Sequence, residues 1–119
     1  PIRTFYNEME EELVWDLIPF TFLYDLYKAW YNKYSPTGSI VSRQVFVKDL
    51  IPLVNKSEVF YCNDKGEKIK SANKMDRPEP LIVEYDLHDW KNPNYRGSDT
   101  SKLAKPKLKD SYRGLRRYT

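Results

Sequence analysis

The first stretch of the chain has a helical spacing of apolar residues. Phe5, Met9 and Leu13 recur at every fourth position, and acidic residues fill the gaps between them. This spacing predicts an amphipathic helix over residues 4–16. Neighbouring positions on a helix point in different directions, so the acidic run at 8–12 is interpreted as a solvated face and not as a metal site.

A second helix is predicted over residues 20–34. Pro19 suits the first turn of a helix, and the breaker residues at 35–38 end it. Apolar and aromatic residues occupy two stripes of this helix, which predicts a central position with contacts on both sides. The aromatic stripe is interpreted as core and not as a binding groove.

A third helix is predicted to begin after Ser42, which is a good N-cap residue, and Pro52 is expected to kink or end it. Its first turns are expected to expose Arg43, Gln44, Val47 and Lys48. A DNA-recognition helix places such residues against bases and phosphates, but many ordinary surface helices begin in the same way.

The chain after residue 56 contains short runs of β-forming residues. The runs at 58–62 and 68–70 flank a turn-forming segment, which predicts a hairpin. Lys65, Lys68 and Lys70 lie toward its turn, as expected for a basic wing beside a recognition helix.

A further strand is predicted over residues 81–85, after Pro78 and Pro80. Three helices followed by a hairpin and a strand predict an α+β fold that is winged-helix-like and spans residues 1–85. Residues 86–119 have no sustained periodicity, so an irregular basic tail is expected there.

The tail repeats Tyr-Arg-Gly at 95–97 and 112–114 and then continues with more arginine. Tyrosine rings can stack on unpaired bases while arginines bind phosphates, so the pattern suits single-stranded nucleic acid. The alternative is a tail that wraps its own domain. The candidate contacts in the tail are Arg96, Arg113, Arg116 and Arg117.

Charge is unevenly distributed along the 119 residues, which suffice for one domain. Residues 1–35 carry three Lys/Arg and six Asp/Glu, whereas residues 86–119 carry nine and four. A basic end on a mixed domain favours a polyanionic partner, although a solvated tail without a partner has the same composition.

Several kinds of chemistry have no sequence support. Cys62 is the only cysteine and His88 the only histidine, so no zinc set, no Cys-His nucleophile pair and no internal disulfide is predicted. No Walker-type phosphate loop and no membrane-length apolar run occurs. We therefore expect a soluble module of a reducing compartment that has no catalytic centre, no metal and no cofactor.

Five strings of residues resemble the C-terminal region of phage-encoded DNA primases. They are VWDLIPF at 14–20, FLYDLYKAW at 22–30, MDRPEPL at 75–81, NPNYRG at 92–97 and SYRGLRR at 111–117. Proteins of this type are similar to the phage, plasmid and poxvirus helicase-primases, in which a primase region and an ATP-driven motor precede a winged-helix-like domain.

The resemblance implies that the ATP site lies outside this chain, and it supplies no catalytic residues to assign. The absence of an initiator Met fits an excised domain. We expect a DNA-binding or DNA-positioning domain, with DNA and the rest of the parent chain as partners in the cytoplasm of a bacterial host. The alternatives are a protein-interaction module that uses the acidic first helix and the aromatic second, and a structural cap.

Overall fold

Helices and two small antiparallel sheets make up the fold. A computed structural model describes residues 1–35, 37–62 and 66–118. The helices are α1 Ile2–Glu10, α2 Phe20–Tyr34, α3 Arg43–Asn55, α4 Leu81–Glu84 and α5 Thr100–Leu103, and a 3₁₀ turn spans His88–Trp90. The strands are β1 Leu17–Pro19, β2 Phe60–Tyr61, β3 Ile69–Lys70, β4 Ser111–Tyr112 and β5 Gly114–Arg117.

Strand β5 lies at the centre of the larger sheet, whose order is β1-β5-β2. Ile18 of β1 is paired with Leu115, and Tyr61 of β2 is paired with Arg116, both in antiparallel register. The second sheet contains β3 and β4. Both sheets therefore join the middle of the chain to its last described residues.

Helix α2 has aromatic contacts on two sides. On one side Tyr27 stacks on Phe46 of α3, with ring centroids 4.8 Å apart. On the other side Phe22 meets Trp90 edge to face, with ring centroids 5.1 Å apart. Phe22 also contacts Trp15 at a tilt, with centroids 5.0 Å apart. The predicted central helix, with the bounds given by Pro19 and the 35–38 segment, is confirmed.

The N-cap predicted for the third helix is also confirmed. The Ser42 hydroxyl accepts a hydrogen bond from the Val45 N–H at 3.3 Å, and α3 begins at the next residue. Pro52 lies inside α3, which continues to Asn55.

The first helix is shorter than the predicted 4–16, because α1 ends at Glu10 and residues 17–19 form β1. A row of carboxylates at the C-terminal end of a helix opposes the helix dipole. Leu17 and Ile18 are fully buried, and they gain a strand partner in β5. The four-residue spacing of apolar residues therefore crosses the boundary between two elements.

Two of the predicted β-structures are wrong. The 58–62 and 68–70 runs do not pair with each other among the described residues, because β2 is paired with β5 and β3 with β4. Residues 81–84 form helix α4, which begins after Pro80 in αR conformation and buries Leu81 and Ile82. Proline is well tolerated at a helix start, which explains how this short apolar run becomes helical.

The expectation of an irregular tail is wrong for β4 and β5. These strands are paired with distant segments of the chain, so their own sequence has no periodicity that indicates a strand. The α+β class is confirmed, whereas the winged-helix arrangement is not, since the hairpin expected as its wing is absent from the described residues. The domain boundary at residue 85 stays a prediction. None of the helices in the described ranges is long and apolar enough to cross a bilayer.

The loop between α1 and β1 is held by a buried carboxylate. Oε2 of Glu79, a residue with no exposed surface, accepts hydrogen bonds from the Val14 N–H at 2.8 Å and the Trp15 N–H at 3.2 Å. The Trp15 indole N–H donates to the Arg77 carbonyl at 2.7 Å. Hydrogen bonds between side chains and backbone therefore join residues 14–15 to residues 77–79.

Arg117 binds the same loop from its carbonyl side. Its guanidinium donates to the Leu13 carbonyl at 2.7 Å and to the Trp15 carbonyl at 3.2 Å. It also pairs with Asp16 at 3.1 Å and lies over the Phe60 ring at 4.5 Å from the centroid. Glu79 and Arg117 thus supply the hydrogen-bond partners that the loop backbone does not find in a helix.

Glu79 gives the stability of the protein a testable pH dependence. Burial raises the pKa of this carboxyl above 4.5, against the opposing effects of the Val14, Trp15 and Leu81 N–H groups and of Arg117. The folded state then binds more protons than the unfolded state, so this contribution is full below the unfolded pKa and is lost as pH rises through the folded pKa.

We therefore expect the free energy of unfolding of the parent chain minus that of Glu79→Gln to decrease as pH rises from about 3.5 to about 8. Urea unfolding across this range measures it, and Glu84→Gln controls for the loss of one carboxylate at an exposed position. A difference that is flat, or that increases with pH, would contradict the prediction.

The neighbours Arg116 and Arg117 should differ in their effect on stability. Arg117→Ala leaves buried carbonyls without donors and is expected to lower the free energy of unfolding by about 2–4 kcal/mol. Arg116 is exposed, and Arg116→Ala is expected to change it by less than about 0.5 kcal/mol. Equal losses, measured by urea unfolding, would show that the loop contacts of Arg117 are unimportant.

Candidate nucleic-acid interface

A basic cavity of about 610 Å³ lies where α3, the start of α2 and the last described segment of the chain meet. Four positively charged side chains line it: Arg43, Lys68, Lys109 and Arg113. They come from three parts of the chain, since only Lys109 and Arg113 are close in sequence, and all four are exposed. None of the described residues that line the cavity is acidic.

Helix α3 contributes one wall. Arg43, Val47 and Ile51 recur at every fourth position, which places them on one face of the helix. Val47 and Ile51 are half-buried and pack against the core. The wall is therefore apolar along its length and charged at the helix N-terminus.

Pairing of β3 with β4 brings the opposite wall together. The Ser71 hydroxyl, which follows β3, donates to the Lys109 carbonyl at 2.6 Å. The Lys109 N–H in turn donates to the Tyr112 hydroxyl at 2.9 Å. Lys68 and Lys109 thus extend from backbone that is tied across the two strands.

Arg113 lies between β4 and β5. Its carbonyl accepts a hydrogen bond from the Phe20 N–H at 2.9 Å, which fixes it beside the first residue of α2. Gly66 adjoins it, and a Cβ atom at Gly66 would lie 3.9 Å from the Arg113 Nε. Gly66 has a φ of +69°, a conformation in which glycine carries no steric cost.

The structure separates the predicted residues of the third helix. Arg43 faces the basic cavity, whereas Lys48 lines another cavity, of about 690 Å³, with Arg3, Lys56 and the start of α1. Gln44 is exposed and lines neither of these cavities. The helical period decides this separation, because residues 43 and 48 are not on one face.

The remaining predicted residues are also distributed over the surface. Lys70 is exposed on β3 opposite Ser111, outside the cavity lining. Arg96 is exposed in the loop before α5, where the neighbouring Tyr95 hydroxyl accepts a hydrogen bond from the Asp99 N–H at 3.0 Å. Lys65 lies outside the described residues.

Arg116 and Arg117 point to different surroundings. The guanidinium of Arg117 is bound by its own chain, so we leave it out of the interface. Arg116 is exposed opposite Tyr61, and the Tyr61 ring contacts the Tyr118 ring with centroids 4.7 Å apart.

Sequence reasoning missed two residues of the cavity, Lys109 and Phe20, whereas Tyr112 belongs to the Tyr-Arg-Gly repeat whose rings are expected to stack on bases. One signal could have found Lys109. Lysines alternate at 105, 107 and 109, which in extended chain places them on one side. The place of Phe20 in the cavity follows only from the pairing of distant segments.

An acidic and aromatic surface forms at the other end of α2. Burial raises the pKa of Tyr85 to about 12, and the negative charges of Glu84, Glu8 and Glu12 add to the effect. Glu8 accepts a hydrogen bond from the Trp30 indole at 3.0 Å, and Tyr34 is 64% exposed. We call the surface formed by five of these residues the acidic surface: Glu8, Glu12, Tyr34, Glu84 and Tyr85.

In the described parts of the chain, no group of three His, Cys, Asp or Glu side chains is placed to hold a metal ion. His88 is exposed and pairs with Asp86 at 3.2 Å. His88 therefore lies at the surface.

Comparison with known proteins connects this fold to one family. Residues 1–92 match the family described as poxvirus D5 protein-like, so the match contains α1 to α4 and ends before α5, β4 and β5. No curated protein and no solved structure matches the chain. The resemblance to helicase-primases of phages and poxviruses is thereby confirmed: the chain belongs to the poxvirus D5 protein-like family.

Proposed function

We propose that this chain is a non-catalytic domain that binds and positions DNA for a primase-helicase of phage type. The observation that carries the proposal is the convergence of Arg43, Lys68, Lys109 and Arg113 on one cavity. Membership in a primase-helicase-related family supports a replication context.

The charge of the cavity selects for anions. Like charges held together repel each other, and a phosphate backbone relieves this repulsion while it releases its own counterions. No described acidic residue of the lining competes for the four cations. Arginine and lysine contacts of this kind fix position on a nucleic acid without reading its sequence.

The apolar floor favours a nucleic acid over a small free anion. Phe20, Val47 and Ile51 give the cavity a surface on which sugars or bases can pack beside the charged rim. The excess of Lys/Arg over Asp/Glu in residues 86–119, nine against four, extends the positive potential beyond the cavity.

The proposed kind of contact supports a non-catalytic role. Phosphate binding by exposed lysine and arginine requires no nucleophile, base or metal from this chain. The resemblance to helicase-primases supports an ATP-driven motor in another region of the parent protein. The domain would then hold DNA while other regions perform the chemistry.

Removal of the cavity charge should weaken DNA binding and its salt dependence. We expect the triple variant Arg43→Gln, Lys68→Gln, Arg113→Gln to reduce the slope of log affinity against log salt by about two to three. Titration of fluorescent single-stranded and duplex DNA between about 50 and about 200 mM salt measures the slope.

Lys33→Gln is the matched control, because Lys33 lies at the far end of α2 beside Tyr85. It should keep the parental slope. Absence of DNA binding by the parental chain at the lower salt concentration, or equal losses in the control and the triple variant, would overturn the proposal.

A second candidate function rests on the acidic surface. Tyr34 is exposed beside the buried Trp30 ring, with centroids 5.0 Å apart, and Glu8 accepts a hydrogen bond from the Trp30 indole. An exposed tyrosine such as Tyr34 is a common anchor of protein interfaces. The partner would be the rest of the parent replication protein, presenting a basic face.

Substitution of the acidic surface separates the two candidates. Tyr34→Ala combined with Glu12→Lys should weaken binding to the remaining parent polypeptide by about tenfold or more. The same variant should leave the DNA affinity near the parental value. Asn32→Ala, an exposed change on the same helix, is the control in calorimetric titrations, and an unchanged affinity of the double variant would eliminate this candidate.

A further inference from the structure

An aromatic pair lies outside the basic cavity, at the end of the larger sheet. The rings of Tyr61 and Tyr118 have centroids 4.7 Å apart and an interplanar angle of 43°. Tyr118 is 52% exposed, one of few large apolar side chains in the described ranges with so much accessible surface. A pair of rings that contact each other and solvent is available for a further stacking partner.

The backbone holds Tyr118 in place. Its N–H donates to the Val59 carbonyl at 3.0 Å, which continues the pairing of β2 with β5 by one step. The ring contact with Tyr61 fixes the side chain as well. An aromatic group that is ordered before binding loses little conformational entropy when a ligand stacks on it.

The two sides of β5 have opposite characters. Leu115 is fully buried and Arg117 lies over the Phe60 ring, so these alternate residues face the protein. Arg116 and Tyr118 occupy the other positions of the alternation, and both are exposed. Tyr61 is the cross-strand neighbour of Arg116, which places a cation beside the aromatic pair.

A tyrosine pair with one exposed ring, beside an arginine, is suited to an unpaired nucleobase. Every base has a π-face, and stacking on an aromatic side chain contributes to binding without regard to sequence. In duplex DNA the faces of the bases are already stacked on one another. The arrangement therefore distinguishes single strands from duplex.

The platform and the cavity lie along one strand. Arg113 and Tyr118 flank β5, and five residues of extended chain span about 17 Å. Single-stranded DNA sites commonly extend over about 4 to 16 nucleotides, so one strand can reach both places.

We infer that Tyr118, supported by Tyr61 and flanked by Arg116, is a stacking platform for unpaired bases of single-stranded DNA. This inference rests on the proposed DNA-binding function and adds the preferred form of the substrate. Phosphates held in the basic cavity set the position of the DNA strand, and the platform stacks on its unpaired bases.

Tyr118→Ala in the full 119-residue chain tests the platform. We expect its affinity for a single-stranded oligonucleotide to fall about tenfold and its affinity for the matching duplex to stay within about twofold. Tyr118→Phe keeps the ring and should keep the parental affinity. Tyr34→Ala removes an exposed tyrosine at the far end of α2 and should change neither affinity.

A fluorescent base analogue in the oligonucleotide gives a second readout. Its emission should be quenched by the parental chain and by Tyr118→Phe, and should recover with Tyr118→Ala, because quenching reports stacking. Thermal unfolding of each variant checks that the fold is retained, and Arg116→Gln provides an independent change of the same platform if Tyr118→Ala does not fold.

The outcomes distinguish the two levels of the proposal. Equal loss of single-stranded and duplex binding in Tyr118→Ala, or no loss at all, overturns the platform while the cavity function stands. Failure of the parental chain to bind either form of DNA overturns both. Selective loss of single-stranded binding together with recovered fluorescence supports the platform.

Discussion

The loop at residues 13–16 is the constraint on which the rest of the structure depends. Glu79 accepts from the N–H groups of residues 14 and 15, and Arg117 donates to the carbonyls of residues 13 and 15. Side chains therefore satisfy backbone groups of a segment without regular structure, while the Asp16 N–H donates to the Lys74 carbonyl. Buried backbone groups left unpaired would cost about 1–3 kcal/mol each. The contacts fix β1 beside β5 and Trp15 between Phe22 and Trp90. The start, middle and end of the chain are thereby held to one another.

The parts of the fold that could be predicted are those with local causes. Helix α2 is bounded by Pro19 and by breaker residues, and α3 begins at a Ser42 cap, so a short window of sequence contains what determines each. The strands could not be placed in this way, because β5 supplies partners for both β1 and β2 from the other end of the chain. A two-residue strand such as β2 has too little alternation to indicate its neighbour. The hairpin prediction chose the nearest β-forming run, and the structure uses a distant one.

The same distinction applies to the candidate site. Arg43 was predicted from its place at a helix start and Arg113 from the Tyr-Arg-Gly repeat, and both line the cavity. Charge and motif do not show which arginine is engaged by its own protein. Arg116 and Arg117 are adjacent and chemically identical, yet the period of the strand directs one to solvent and the other to the carbonyls of the loop. Tyr61 and Tyr118 become neighbours only through the register of β2 and β5.

Helix α2 connects two regions of opposite charge. Phe20 at its first turn borders the basic cavity, and Tyr34 at its last residue belongs to the acidic surface, so its 15 residues separate the two by about 20 Å. Such a separation gives the domain an electric dipole moment along this helix. In the field of a polyanion a dipole experiences a torque before any contact forms, and the domain would arrive with its positive end leading. In the proposed DNA-binding role, orientation during approach would be set by the charge distribution itself, independent of any hydrogen bond made afterwards.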